Sequence, residues 1–485
     1  MINAESIIFI IYLVFMLAIG VYFFVKSKGA GEKDYFLGGR EMGAWVSALS
    51  AGASDMSAWV LMGLPASVYA FGLGKAWIAI GLAIGYALAW LFEAGKLRKF
   101  TIVSNDSITL PQYLTNRFLS TSKSLQIVCA IIFLVAYTIY AASSMKACGT
   151  LFNTVLGVDA KTAMYVASII IIAYTFLGGF SAVCWTDFFQ GLLMLAALLI
   201  APIFALIFVK AGKGATDGFA SLPEDYWNMF ADWKQIVSGL GWGLGYFGMP
   251  HIIVRFMSVK SDRELKKSAK IGIVWNVLIV VFSVASGAIG HLLLGDVSDS
   301  STVFIQMVRM IFPAVISGIL LSAILAASMS TADSQLLTSA SAFASDVYKP
   351  VFRKGRAGNK EMLWAGRIVV IIISAVALVI ASNPNSGSIM DLVENAWGLF
   401  GAAFSPVILL SLFWKRLNFA GALSGIIVGA AVDACWLAFL SSTGIYEIIP
   451  GFVAGLIAAV VVSKLTKGPS KEVMDLFDRA NAYEG

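Results

Sequence analysis

An all-α polytopic membrane protein of about thirteen transmembrane helices, N-terminus out and C-terminus in, is the fold this sequence predicts. Three observations predict it. Of 485 residues, 59% are apolar and 13% charged, where a soluble domain carries about 25% charged residues. Apolar runs long enough to cross a bilayer recur along most of the chain, and mean hydropathy is +0.85. The Lys and Arg residues, 34 in all, crowd onto alternate loops, the asymmetry that orients a membrane protein. Together these exclude a secreted enzyme, a nucleic-acid binder, a disulfide scaffold and a disordered tail. The formal net charge of +6 needs no acidic partner when it lies on cytoplasmic loops, and no obligatory protein partner is called for.

The spans follow in order. The first, 7–25, is followed by Lys26 and Lys28 and preceded by no basic residue, so it reads as an anchor and not a cleaved signal peptide. Twelve more are expected near 43–72, 76–94, 124–148, 162–180, 185–209, 235–256, 271–294, 313–343, 362–382, 389–413, 418–440 and 447–466. With the N-terminus outside, the outer segments hold only Lys75, Lys161, Lys210, Lys213, Lys234 and Arg309, and Lys146 falls near a helix end. A twelve-span reading reverses this bias over part of the chain. The longest outer loop, 211–234, is acidic and contains Trp and Tyr, and the polar tail after Lys467 is expected as a short cytoplasmic helix or a frayed end. The chain is thus one integral membrane domain. It divides into 1–40, a first repeat 41–212, a second repeat 233–415, two extra spans in 416–467 and a tail 468–485.

Cys129, Cys148, Cys184 and Cys435 stand singly in apolar runs and read as small hydrophobes. Two histidines, His251 and His291, cannot build a His-rich site, and no nucleophile–base pair is visible, which argues against an enzyme.

Two spans look interrupted. The second carries Leu49-Ser-Ala-Gly-Ala-Ser-Asp-Met-Ser-Ala-Trp59, and the seventh carries Gly239-Leu-Gly-Trp-Gly-Leu-Gly-Tyr-Phe-Gly-Met-Pro250. Irregular backbone at membrane depth is tolerated where it lines a cavity. The two breaks open consecutive groups of five spans, so the second group is inserted upside down relative to the first. That is the arithmetic of an inverted repeat with a site near the midplane. The competing reading is that the glycines only let helices pack closely.

A third signal lies in the ninth span, Leu320-Leu-Ser-Ala-Ile-Leu-Ala-Ala-Ser-Met-Ser-Thr-Ala-Asp-Ser-Gln335, where Ala327, Ser330 and Thr331 share one helical face and Ser334 extends it. A small hard cation needs a shell of oxygens in place of water, and two hydroxyls plus three backbone carbonyls would supply one. Asp187 is expected at the cytoplasmic start of span six, where snorkelling to water competes with a cation role. Arg255 reads as an inside-facing gate or anchor and His251 as a hydrogen-bonded structural residue. Glu394 and Asp433 are assigned nothing.

Asp34-Tyr-Phe-Leu-Gly-Gly-Arg40, Leu49 to Ser57, Met62-Gly-Leu-Pro65, Gly241-Trp-Gly-Leu-Gly-Tyr246, Leu320 to Ala327 and Tyr446-Glu-Ile-Ile-Pro-Gly451 resemble the sodium/solute symporter family, most closely its bacterial sodium/proline branch, over essentially the whole chain. The resemblance implies a LeuT-type core of two inverted five-helix repeats, spans 2–6 and 7–11, in a bacterial inner membrane. It implies a sodium ion held by carbonyls of Ala53, Met56 and Ala327 and hydroxyls of Ser330 and Thr331, with Asp55 and Ser57 needed for sodium-linked transport. It also implies an L-proline pocket of Trp59, Tyr140, Trp242, Tyr246 and Pro250. Asp187, Asp333 and Ser334, with Ser57, Ser330 and Thr331, match the positions of a second cation site held by some members. Ala58 stands where the branch usually has Gly, and Asp333 where a hydroxyl is usual. The activity expected is electrogenic inward sodium/proline symport by alternating access. The alternatives are protons in place of sodium, another small amino acid or compatible solute as cargo, or a solute sensor.

Overall fold

The computed structural model describes residues 4–26, 32–177, 179–215, 222 and 225–484. Backbone groups in hydrocarbon must be satisfied within their own segment, and the apolar runs are accordingly helical. In chain order the helices are α1 (Ala4–Lys26), α2 (Glu32–Leu37), α3 (Ala44–Asp55), α4 (Gly63–Phe71), α5 (Ala76–Leu88), α6 (Ala94–Val103), α7 (Leu110–Arg117), α8 (Ser124–Leu156), α9 (Ala160–Leu177) and α10 (Phe180–Phe208). They continue as α11 (Trp233–Gly241), α12 (Pro250–Ser258), α13 (Asp262–Leu294), α14 (Val303–Ile311), α15 (Ala314–Ala342), α16 (Asn359–Ser382), α17 (Ile389–Phe413), α18 (Phe419–Phe439), α19 (Ile448–Leu465) and α20 (Lys471–Ala482). The described residues form no β-strand, only one isolated bridge between Met42 and Val259.

Ten helices among the described residues are long and apolar enough to cross a membrane. Three of the expected spans are not among them. Two are split in the middle, into α3 and α4 and into α11 and α12, and the third falls on α9, whose described apolar stretch is Lys161–Ile170. Apolar side chains such as Ile10, Val14, Ile169 and Val379 are more than half exposed, as a surface in contact with lipid requires.

Several boundaries differ from the sequence reading. The fifth span ends at Leu177, and the sixth begins at Phe180, because Gly179 turns the chain with φ 156, a conformation glycine tolerates. Asp187 therefore lies about two turns inside α10, fully buried, and snorkelling is excluded. The eighth span starts at Asp262 rather than near 271, with Ser261 capping the Glu264 N–H. The short amphipathic α7 and α14 escape a window tuned to apolar runs. The tail is an ordered helix: Phe477 of α20 packs edge-on against Phe100 at 5.3 Å, and Lys415 pairs with Asp478 at 2.5 Å. Part of the outer loop (216–221, 223 and 224) and part of the first inner loop (27–31) lie outside the described residues.

At the end bearing these basic loops, Arg40 donates to Asp106 (2.9 Å), to the Met257 carbonyl (2.6 Å) and to the Ser107 carbonyl (2.8 Å). One buried guanidinium thus ties the start of α3 to the loop after α6 and to the last turn of α12. Partial burial alone would raise the Asp106 carboxyl, but the Lys33 hydrogen bond and the Arg40 charge outweigh it and hold it below the ordinary carboxylate range.

Candidate functional site

The first break is built from short polar side chains. The Met56 N–H still reaches the Gly52 carbonyl at 2.9 Å, and then Met56 leaves the helix with φ −83 and ψ 77. Ser57 is extended, and its hydroxyl accepts the Trp59 N–H at 3.4 Å, the N-cap of a one-turn 3-10 helix over Ala58–Val60. At this break Ser330 of α15 donates to the Ala53 carbonyl at 2.7 Å and to the Ala327 carbonyl at 3.2 Å, and the Thr331 hydroxyl lies 3.4 Å from the Ala53 carbonyl. Four of the five expected cation ligands are thereby one cluster of neutral oxygens, all fully buried. Met56 supplies the adjoining non-helical backbone.

The second break is built from glycine and rings. After α11 the chain tightens into a 3-10 run, Trp242–Phe247, then leaves helical geometry at Gly248 and Met249 before Pro250 opens α12. Close packing operates here as well as the break. A Cβ at Gly81 of α5 would lie 2.1 Å from the Gly239 carbonyl, so these backbones touch directly. Trp242 faces Trp59 at 6.1 Å between centroids, and Tyr446 covers Trp242 at 5.1 Å. Trp242 and Tyr446 also floor a vestibule lined by Lys75, Asp391, Glu394 and Glu447. Pro250 stands apart from these rings and lines a small cavity with Phe180, Arg255, Leu337 and Thr338.

Asp55 joins the two breaks. Its carboxylate accepts the Tyr246 hydroxyl at 2.6 Å, and its carbonyl accepts the Tyr140 hydroxyl at 3.3 Å and the Trp59 indole N–H at 3.4 Å. Asn276 of α13 adds a contact to the Tyr246 hydroxyl at 3.5 Å. The second carboxylate oxygen, Oδ1, is buried with no hydrogen-bond partner. Such an oxygen is costly in a membrane interior unless a proton or cation meets it.

A second polar cluster surrounds Asp187. Asp187 accepts from Ser50 at 2.6 Å and pairs with Arg255 at 3.1 Å. Arg255 also donates to Ser50 (3.1 Å), the His251 carbonyl (2.6 Å) and Ser334 (2.6 Å), and Ser334 donates to Asp333 at 3.3 Å. Asp187, Asp333 and Ser334 are therefore brought together around Arg255, whose guanidinium pairs with Asp187 and donates to Ser334. Ser57 is engaged at the break instead. His251 is held through its own N–H, 2.9 Å from the Tyr137 hydroxyl. Sequence reasoning missed Asn276, Tyr86 (5.1 Å edge-on to Tyr246) and Trp397 of α17, which stacks on Trp242. No local pattern marks a lone aromatic inside an apolar helix.

The model of the sodium:solute symporter family matches residues 35–429. The chain belongs to that family. It is thus a transporter and not an enzyme. Among family relatives, it is 45% identical to the high-affinity proline transporter PutP of Bacillus subtilis (strain 168), over 96% of this chain and 98% of the relative. It is 41% identical to the sodium/proline symporter of Escherichia coli (strain K12), over 98% of this chain and 96% of the relative. Among solved structures, a sodium-coupled sialic acid symporter in a substrate-bound outward-open state superposes with TM-score 0.81 at 22% identity, covering 97% of this chain and 99% of that one. Mhp1, a nucleobase-cation-symport-1 family transporter, follows at TM-score 0.58 and 15% identity, covering 91% and 97%. These likenesses establish the expected fold of the core.

Proposed function

We propose that this chain carries L-proline and sodium together into the cell across a bacterial cell membrane, one zwitterion with one cation, by alternating access. The observation that carries the reading is Asp55, which contacts the aromatic enclosure through both its carboxylate and its carbonyl, two residues from the oxygen cluster at Ala53. The relatives named for proline transport support the choice of cargo.

In this reading, carbonyls of Ala53, Met56 and Ala327 and hydroxyls of Ser330 and Thr331 replace the hydration shell of sodium. The ion draws the broken helix α3 onto α15 and screens the orphaned oxygen of Asp55. Asp55 and Ser57 then set Tyr246, Tyr140 and Trp59 for the substrate. The proline ring lies against Trp59 and Trp242, its ammonium meets an aromatic face, and its carboxylate meets free N–H groups at a helix break. Pro250 acts at a distance, by setting the hinge before α12. Asp187 and Arg255 close the inner side. Because Arg255 already neutralises Asp187 and holds Ser334, a second cation there would have to displace it, which favours a single sodium. The two groups of five helices, 41–212 and 233–415, act as inverted repeats around these breaks, with the N-terminus outside.

Uptake of radiolabelled L-proline into proteoliposomes tests the reading. An inward sodium gradient should drive accumulation, and an inside-negative potential of 100 mV should add about fiftyfold, since one charge moved through it is worth ~2.3 kcal/mol. Uptake indifferent to both gradients would overturn the coupling. Competition by unlabelled amino acids that leaves proline no stronger than others would overturn the cargo.

A further inference from the structure

We infer that Trp397 of α17 is a positioning residue that sets the width of the aromatic enclosure, and through it the ring size of the substrate. The inference rests on the proline reading above. Trp397 is fully buried, and its indole N–H donates to the Trp242 carbonyl at 2.8 Å. Its ring stacks on that of Trp242 with centroids 6.1 Å apart and planes 29° apart, and meets Tyr246 edge-on at 5.1 Å.

Trp59, Trp242 and Trp397 thus form a row with Trp242 in the middle. Trp242 also lines the vestibule, within reach of a solute there. Its own backbone begins a 3-10 run, whose hydrogen bonds have poorer geometry than those of an α-helix. The directional bond from Trp397 fixes that backbone, and the stacked indole packs on the Trp242 ring. Room for it depends on a glycine. A Cβ at Gly245 would lie 2.1 Å from the Trp397 Nε1 and 2.4 Å from its Cε2. A residue that merely filled space would need this clearance but not the N–H.

The test compares wild type with Trp397→Phe, which keeps an aromatic ring and loses the N–H. Proline KM and maximal rate are measured in proteoliposomes, with the four-membered analogue azetidine-2-carboxylate and the six-membered analogue pipecolate as competitors. Sodium binding is measured without substrate, and Tm checks folding. Losing one buried hydrogen bond should raise the proline KM about tenfold, with a much smaller change in maximal rate. Pipecolate should lose less than proline, so that the preference for the five-membered ring narrows, and sodium binding should hold its wild-type value. An unchanged KM with an unchanged competitor order would overturn the inference. So would an equal loss of sodium and proline binding, the mark of a general packing role. Wild type that transports no proline would instead bring down the underlying reading, a separate result visible before any variant is made.

Discussion

Around Asp55 and Ser57 the first break is held by hydroxyls, carbonyls and a carboxylate, whereas from Trp242 to Pro250 the second is held by indoles and close glycine contacts. Both interruptions free backbone groups at membrane depth, but they surround them with opposite chemistry. The first offers oxygens at spacings a small cation can use, and the second offers flat apolar faces and little charge. A symporter needs both, and it needs them to sense each other. Asp55 supplies that link, because it sits in the first break and takes its strongest hydrogen bond from the second.

The contrast can be broken most severely where the two breaks share an anchor. Ser50 before the first and Arg255 after the second meet at Asp187. Arg255→Ala strands the Asp187 carboxylate and should cost ~3–5 kcal/mol of stability, whereas replacing both partners with leucine should restore most of it. Thermal unfolding in detergent checks this; a double variant no more stable than the single one would mean that the pair does not act as a unit.

Removing the link itself should rank next. Asp55→Ala deletes a charged buried hydrogen bond worth ~1.5–3 kcal/mol, so binding should fall by roughly ten- to a hundredfold, for sodium and proline alike. Loss of one ligand alone would assign Asp55 to a single break. The smallest effect lies outside the membrane. Asp106 is held below its ordinary value, so its contribution to stability is present above the unfolded aspartate value near 3.9 and is lost as pH falls through the lower folded value. The group is 44% exposed, which limits the contribution to well under ~1 kcal/mol. Asp106→Asn should flatten the acid limb of a Tm-against-pH curve slightly and leave neutral pH binding of both ligands unchanged.

Much of this arrangement was legible in the residues. Both interruptions could be read because Gly, Ser and Pro are out of place in a spanning helix, and α17 keeps its expected bounds, 389–413, because a Ser388 capping box marks its start and Trp414-Lys-Arg416 follows its end. What could not be read lies in contacts between distant segments. Tyr246 reaches Asp55 across 191 positions, and Arg255 reaches Asp187 across 68; no periodicity encodes either. The resemblance groups Pro250 with the aromatics, whereas Pro250 lines a small cavity with Phe180 and Arg255. Hydropathy does not register the turn at Gly179, so it sets Asp187 at a helix start and not two turns inside α10.

Sodium binding measured in the absence and presence of proline, in Ser330→Ala and Trp242→Ala side by side, tests the division of labour between the breaks most directly. Ser330→Ala should weaken sodium about tenfold without substrate, the size of one lost ligand or buried hydrogen bond, and proline should weaken with it, because coupling between two sites is reciprocal. Trp242→Ala should leave sodium binding without substrate at its wild-type value while proline binding collapses. Normal sodium binding in Ser330→Ala, or equal loss of both ligands in Trp242→Ala, would contradict the account.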